Sequence, residues 1–120
     1  MRTNRDTGRL GEDIAVACLR QQGFRILDRN WYGPGGELDV VAYEPARDAV
    51  VGVEVKTRRG AAFGTPAEAV TPRKVHRMRG LLARWLAVHA VHADEVRLDL
   101  LAVELRAGRA PRVEHLVGIG

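Results

Sequence analysis

Serine is absent from all 120 residues, and its absence alone removes serine-triad hydrolysis from consideration. There is no G-x-x-x-x-G-K-[ST] loop, so Walker-type nucleotide binding goes with it. One cysteine, Cys18, excludes an internal disulfide and any multi-cysteine zinc site. It lies in an apolar helical pattern and reads as a small buried hydrophobe. No apolar run approaches the ~20 residues that a bilayer span requires. Met1 to Thr7 carries charge but is not followed by the apolar stretch of a signal peptide. These absences point to a cytoplasmic protein without a membrane partner. Lysine is also scarce: of 19 basic residues, only Lys56 and Lys74 are lysines. The two cations are not interchangeable, so a lysine kept at position 56 suggests that a compact ammonium is wanted there.

What is present suffices for one core. With 46% hydrophobic residues, the chain reads as a single domain spanning residues 1–120, its residues 1–7 a flexible N-terminal segment. A formal charge of +4 and a pI near 10.0 make nucleic acid a reasonable partner.

Thr7 is a fair N-cap for a helix from Gly8 to Gln22, with Gly23 as its stop. Leu10, Ile14, Ala17 and Cys18 form one apolar side, which Ala15, Val16 and Leu19 continue around the other. Glu12 heads that second stripe instead of joining the polar one of Arg9, Asp13 and Arg20. The plain alternative for Glu12 is a first-turn glutamate favoured by the helix dipole. Phe24–Trp31, Leu38–Tyr43 and Val50–Thr57 read as strands, separated by the turn 33–36 and by a loop over 44–48. Short connections make them an antiparallel meander. Thr71-Pro72 starts a second helix, which runs to about His89 and buries Val75, Met78, Leu82 and Trp85. Val96–Val103 alternates as a strand, and Arg112–Val117 forms another. The fold class is α/β.

The third strand carries the chemistry. Side chains alternate along a strand, so Val51, Val53 and Val55 share one face and Gly52, Glu54 and Lys56 the other. The glycine is expected to leave space beside the charged pair, and a hairpin brings Asp39 towards Glu54. Two such carboxylates offer hard oxygens to Mg²⁺ or Mn²⁺. Such an ion polarises a phosphodiester and lowers the pKa of a bound water. Lys56 would orient that water or stabilise charge developing on phosphate, and Glu12 would complete the coordination or hold the water. The competing reading is a surface Glu54–Lys56 ion pair worth ~0–1 kcal/mol. Against it stand the nearby aspartate, the glycine and a valine run that implies a covered central strand.

Glu-x-Lys on a strand, with an aspartate on the strand before, resembles the PD-(D/E)xK nuclease superfamily, whose restriction-endonuclease-like core is ordered α-β-β-β-α-β. A closer resemblance is to the YraN family of bacterial proteins. It is carried by Gly11-Glu12-Asp13, Gly23-Phe24, Asn30-Trp31, Gly35-Gly36-Glu37-Leu38-Asp39 and Val53-Glu54-Val55-Lys56-Thr57-Arg58. Phe63-Gly64, Pro66-Ala67-Glu68-Ala69-Val70, Lys74 and Arg97-Leu98-Asp99-Leu100 extend it, over about Gly8 to Leu116. The resemblance implies a fold akin to archaeal-type Holliday-junction resolvases, with Glu12, Asp39, Glu54 and Lys56 on the nuclease positions. Leu38 stands where the superfamily's proline would be, and Gly52 where relatives often carry a bulky residue.

Other groups stand open to two readings. Glu37 shares a strand face with Asp39 and is either a further ligand or a solvated turn residue. Arg58, Arg59, Arg73, Lys74 and Arg77 either contact phosphates or form a solvated face. Phe63 caps the core or stacks on a base. Trp31 and Trp85 read as core, and His89 and His92 have metal-compatible spacing but no supporting carboxylate or cysteine. The expected activity is Mg²⁺- or Mn²⁺-dependent phosphodiester hydrolysis on DNA, branched DNA included, with a homodimer required for paired cuts in a symmetric substrate. A nucleic-acid-binding module of nuclease fold without turnover, and a protein-interaction domain, are the alternatives.

Overall fold

The computed structural model describes residues 4–60 and 65–120. Helix α1 (Asn4–Gln21) is followed by strands β1 (Arg25–Gly33), β2 (Gly36–Glu44) and β3 (Ala49–Arg59). Helix α2 (Pro72–His89) leads to β4 (Glu95–Leu105) and β5 (Arg112–Leu116). The strands form one sheet in the order β1-β2-β3-β4-β5. The first three are an antiparallel meander, as their short connections require. β3 and β4 run parallel from Ala49↔Glu95 to Arg59↔Leu105, and α2 makes the crossover that parallel neighbours need. β5 folds back antiparallel on β4. The first six elements give the α-β-β-β-α-β order of a restriction-endonuclease-like core.

Helices cover both faces, so the central strands are apolar on both sides. Val51, Val53, Val40, Leu101 and Val103 pack with Ala15, Val16 and Leu19 of α1. Val50, Val41, Leu38 and Leu98 pack with Met78, Leu81, Leu82 and Trp85 of α2. The second helix begins as its sequence demands. Thr71 Oγ1 accepts the Lys74 N–H at 3.1 Å, and Pro72 takes the first helical position. Among the described residues, no helix is long and apolar enough to cross a membrane.

Three sequence expectations change. First, α1 begins at Asn4, so Thr7 lies inside the helix instead of capping it, and the N-terminal segment is helical from Asn4. Second, Ala17 is exposed and Cys18 only half-buried, because the side of α1 that meets the sheet is centred on Ala15, Val16 and Leu19. Third, Gly52 opens no space beside the charged pair. A Cβ there would sit 3.3 Å from both Leu82 and Leu98 and 3.7 Å from Leu38, so the glycine admits α2 close to the sheet.

Candidate functional site

The site begins where two strands part. The β2–β3 ladder ends at Val40↔Val53, although β2 stays paired with β1 through Leu38↔Trp31 and on to the turn. Residues two apart on a regular strand share a face. Yet Leu38 packs in the α2 layer and Val40 in the α1 layer, so the alternation breaks at Asp39. Beyond the last rung, the Val55 N–H donates to Asp39 Oδ2 at 2.8 Å. A side-chain carboxylate thus takes the place that a backbone carbonyl of β2 would fill.

Asp39 is held in a charged, poorly solvated position. Burial pushes its carboxyl up to about 7; the Val55 hydrogen bond opposes this, and the nearby Glu54, Glu12 and Glu37 carboxylates add to it. Negative charge converges here, a setting that a cation would relieve.

Glu12 comes from α1 through a tight contact. A Cβ on Gly11 would collide with the Thr57 side chain, so the missing methyl lets α1 lie against the end of β3. Glu12 is then pinned from β1: its Oε1 accepts from Asn30 Nδ2 at 2.8 Å and from Arg29 Nη2 at 3.1 Å and Nε at 3.2 Å. Arg29 also reaches Asp13 Oδ1 at 2.7 Å. Asn30 stands across β1 from the break at Asp39, with φ +52°, a left-handed conformation that asparagine tolerates better than most residues.

Glu54 faces α2, and its Oε2 lies 2.9 Å from Lys74 Nζ. Lys56, exposed, shares a cleft of about 350 Å³ with Glu12, Asp39 and Thr57. It also borders a second cleft of about 290 Å³ with Arg58, Thr65 and Lys74. The four residues expected at the centre are therefore brought together: Asp39, Glu12 and Lys56 line one cleft, and Glu54 acts on Asp39 through its charge. The pair expected as the plain alternative, Glu54 with Lys56, is replaced by Glu54 with Lys74.

Among the described residues, no three histidine, cysteine or acidic side chains gather closely enough to form a ready-made metal cage. The Asp39 and Glu54 carboxylates are hard oxygen donors, the class that Mg²⁺ or Mn²⁺ takes when it binds one or two carboxylates and keeps several waters.

The remaining candidates divide. Lys74 and Arg58 border the clefts, whereas Arg59 donates to Thr7 Oγ1 at 3.1 Å. Arg73 and Arg77 are exposed on α2, and the Arg77 stem runs over Gly36. The Glu37 carboxylate bonds the Tyr32 phenol and pushes it up. His89 stacks on Trp85 at 4.2 Å, its Nδ1 lies 2.8 Å from the Trp85 carbonyl, and its Nε2 lies 3.8 Å from Asp28 Oδ2, a carboxylate the sequence reading did not pair with it. Trp85 is buried and Trp31 half-buried. Phe63 lies outside the described residues.

Sequence reasoning missed Arg29 and Asn30, which hold Glu12, and missed a second polar centre. Asp99, fully buried on β4, binds Arg97 Nε at 2.8 Å, His115 Nε2 at 2.8 Å and the Gly118 N–H at 3.0 Å. Burial alone would push this carboxyl up; the bonds from His115, Arg97 and Gly118 outweigh it and hold it below its ordinary value. The signal for it was an aspartate inside an otherwise apolar strand, Leu98 to Val103.

A family model described as "Uncharacterised protein family UPF0102" matches residues 11–103, which takes in Glu12, Asp39, Glu54, Lys56 and Lys74. A UPF0102 protein of Beutenbergia cavernae is 49% identical over 120 residues, covering all of both chains. One from Mycolicibacterium smegmatis is 47% identical over 118 residues, 98% of this chain and 95% of its own. Another, from Pelobacter propionicus, is 45% identical over 114 residues, 95% of this chain and 81% of its own. By the family match and by near-half identity along its whole length, this chain belongs to UPF0102, the YraN family.

Proposed function

We propose that the chain is a Mg²⁺- or Mn²⁺-dependent phosphodiesterase acting on DNA in the cytoplasm, with branched or otherwise structured DNA its foremost substrate. The observation that carries this reading is the parting of β2 and β3, which seats the Asp39 carboxylate on the Val55 N–H in a cleft shared with Glu12 and Lys56. Asp39 and Glu54 would hold the ion, with Glu12 beside it. Once bound, the ion supplies Lewis-acid polarisation of the phosphodiester and a more acidic water.

The chain's own groups do the rest. The Val55 N–H fixes the Asp39 carboxylate through one hydrogen bond of 2.8 Å. Asn30 and Arg29 fix Glu12 through one oxygen. Lys56, exposed in the lining of the cleft, would meet a phosphate oxygen or an attacking water. Its ammonium is compact and flexible, suited to a point charge that must follow a reaction. Arg58 and Lys74 add positive charge along the adjoining cleft, where a phosphate backbone would strengthen its hold at low salt.

A second reading, a DNA-binding module of the same fold without turnover, draws on a specific observation. Both flanking carboxylates are already engaged, Glu54 by Lys74 and Glu12 by Arg29 and Asn30. Cleavage assays separate the two. Duplex, single-stranded, flap and four-way-junction DNA, and RNA, are incubated with Mg²⁺ or Mn²⁺ and wild type, Asp39→Ala or Lys56→Ala protein. Metal-dependent cutting that both substitutions abolish supports the enzyme. Cutting that survives in both overturns it, and salt-sensitive binding with no cutting supports the binding module.

A further inference from the structure

The chain has 17 arginines and two lysines, and the fold brings the two lysines to the same place. Lys56 comes from β3 and Lys74 from the first turn of α2, and both border the cleft beside Glu54. Lys74 reaches Glu54 directly, Nζ to Oε2 at 2.9 Å, with 24% of its side chain and 14% of that of Glu54 exposed. Its backbone is fixed as well, since its N–H donates to the Thr71 cap. An arginine would present a broad fork to that carboxylate, whereas an ammonium is a compact charge on a flexible stem and can leave it.

Building on the metal-dependent reading above, we propose that Lys74 is a built-in competitor for the cation site: it neutralises Glu54 while the site lacks a divalent ion and moves to a substrate phosphate when the ion takes Glu54. Three observations support it. Lys74 Nζ lies 2.9 Å from Oε2 of Glu54, the carboxylate that the metal-dependent reading pairs with Asp39 on the ion. The side chain has somewhere to go, because the cleft of about 290 Å³ that it borders is lined also by Lys56, Arg58 and Thr65, with Glu68 as its one carboxylate. Its helix position leaves the move to the side chain alone, so the exchange requires no change of fold. Lys74 thus serves two partners in turn, Glu54 and the substrate phosphate. It lowers the affinity for the ion alone and ties ion binding to phosphate binding, so that the two favour each other.

The test measures Mn²⁺ binding by calorimetry on the full chain, without nucleic acid, for wild type, Lys74→Gln, Lys74→Arg and Asp39→Ala. Circular dichroism melts verify that each variant is folded. Lys74→Gln removes the competing charge and is expected to bind Mn²⁺ about tenfold more tightly, equivalent to about 1.4 kcal/mol. Lys74→Arg is expected to stay near wild type or bind more weakly. A second measurement follows a short single-stranded DNA in Ca²⁺, where Mn²⁺-supported cutting is avoided. There, Ca²⁺ should strengthen DNA binding by wild type more than by Lys74→Gln. Mn²⁺ binding by Lys74→Gln that equals or falls below wild type, while Asp39→Ala abolishes it, overturns the competition and leaves the metal site standing. Absence of Mn²⁺ binding in wild type and Lys74→Gln alike overturns the metal site itself, and this inference with it.

Discussion

Replacing Asp39 by asparagine should make the protein more stable, and should do so only above mildly acidic pH. The folded chain raises the Asp39 carboxyl from 3.8 to about 7. The folded state therefore binds this proton more tightly than the unfolded chain does. Stability contributed by the group is full below pH ~4 and falls as pH climbs towards 7, where the ionised carboxylate faces Glu54, Glu12 and Glu37. Each pKa unit corresponds to about 1.4 kcal/mol, so the cost at pH 8 has an upper bound of about 4 kcal/mol. Water reaching the part-buried carboxylate lowers that figure, and an asparagine amide group needs its own partner, leaving a gain of about 1–3 kcal/mol. The asparagine oxygen can still accept from the Val55 N–H, so the parting of the strands is preserved. For a domain of this size the melting temperature should rise by roughly 3–10 °C at pH 8 and hardly at all at pH 4. Thermal melts at both pH values measure the shift, and urea titrations the free energy behind it. On the metal-dependent reading proposed above, the order should reverse in Mn²⁺, because wild type would gain by binding and the variant would not. A variant no more stable than wild type at pH 8, or stabilised equally at pH 4, would refute the electrostatic account.

Gly11→Ala should destabilise by about 1–3 kcal/mol through its collision with Thr57, and adding Thr57→Ala should recover part of the loss in a double-mutant melt. Gly52→Ala should cost about 1 kcal/mol by pressing on Leu82 and Leu98, while Mn²⁺ titration shows unchanged affinity; a large change in affinity would return Gly52 to the pocket. Asp99→Ala should cost about 3–5 kcal/mol, since Arg97 and His115 lose their shared carboxylate within the fold. Asp99 has a folded pKa below its unfolded one, so its contribution is present above pH ~4 and lost as pH falls through the folded value. Acid titration of the wild type and Asp99→Asn by fluorescence should accordingly show a flatter stability curve below pH 4 in the variant.

Much of this protein is written in local pattern. Thr71-Pro72 sets the start of α2 to the residue, because a capping hydroxyl and a proline without an N–H are both local facts. The turn after Gly33 and the valine-rich run of β3 give the meander, since short connections allow antiparallel neighbours and little else. The β3 alternation also determined that Glu54 and Lys56 would leave the sheet opposite to Val53, and the aspartate one strand earlier marked the site. The start of α1 was less legible, because Thr7 and Gly8 are both tolerated within a helix whose later turns are held by packing.

Only the tertiary structure decided what surrounds those residues. A glycine in a strand signals either an open space or a close approach, and Gly52 is the second because Leu82 arrives from an element some thirty positions away. That Glu54 meets Lys74 and not Lys56 depends on how α2 crosses the sheet, which no spacing along β3 encodes. The affinity of Asp39 for its proton likewise arises from burial and from carboxylates on β3, α1 and β2. The sequence by itself determined which acids and which lysines the chain would have available, through periods of two and of three to four residues. The fold decided which acid faces which cation, because electrostatic energy depends on distance through space and on the water excluded between them.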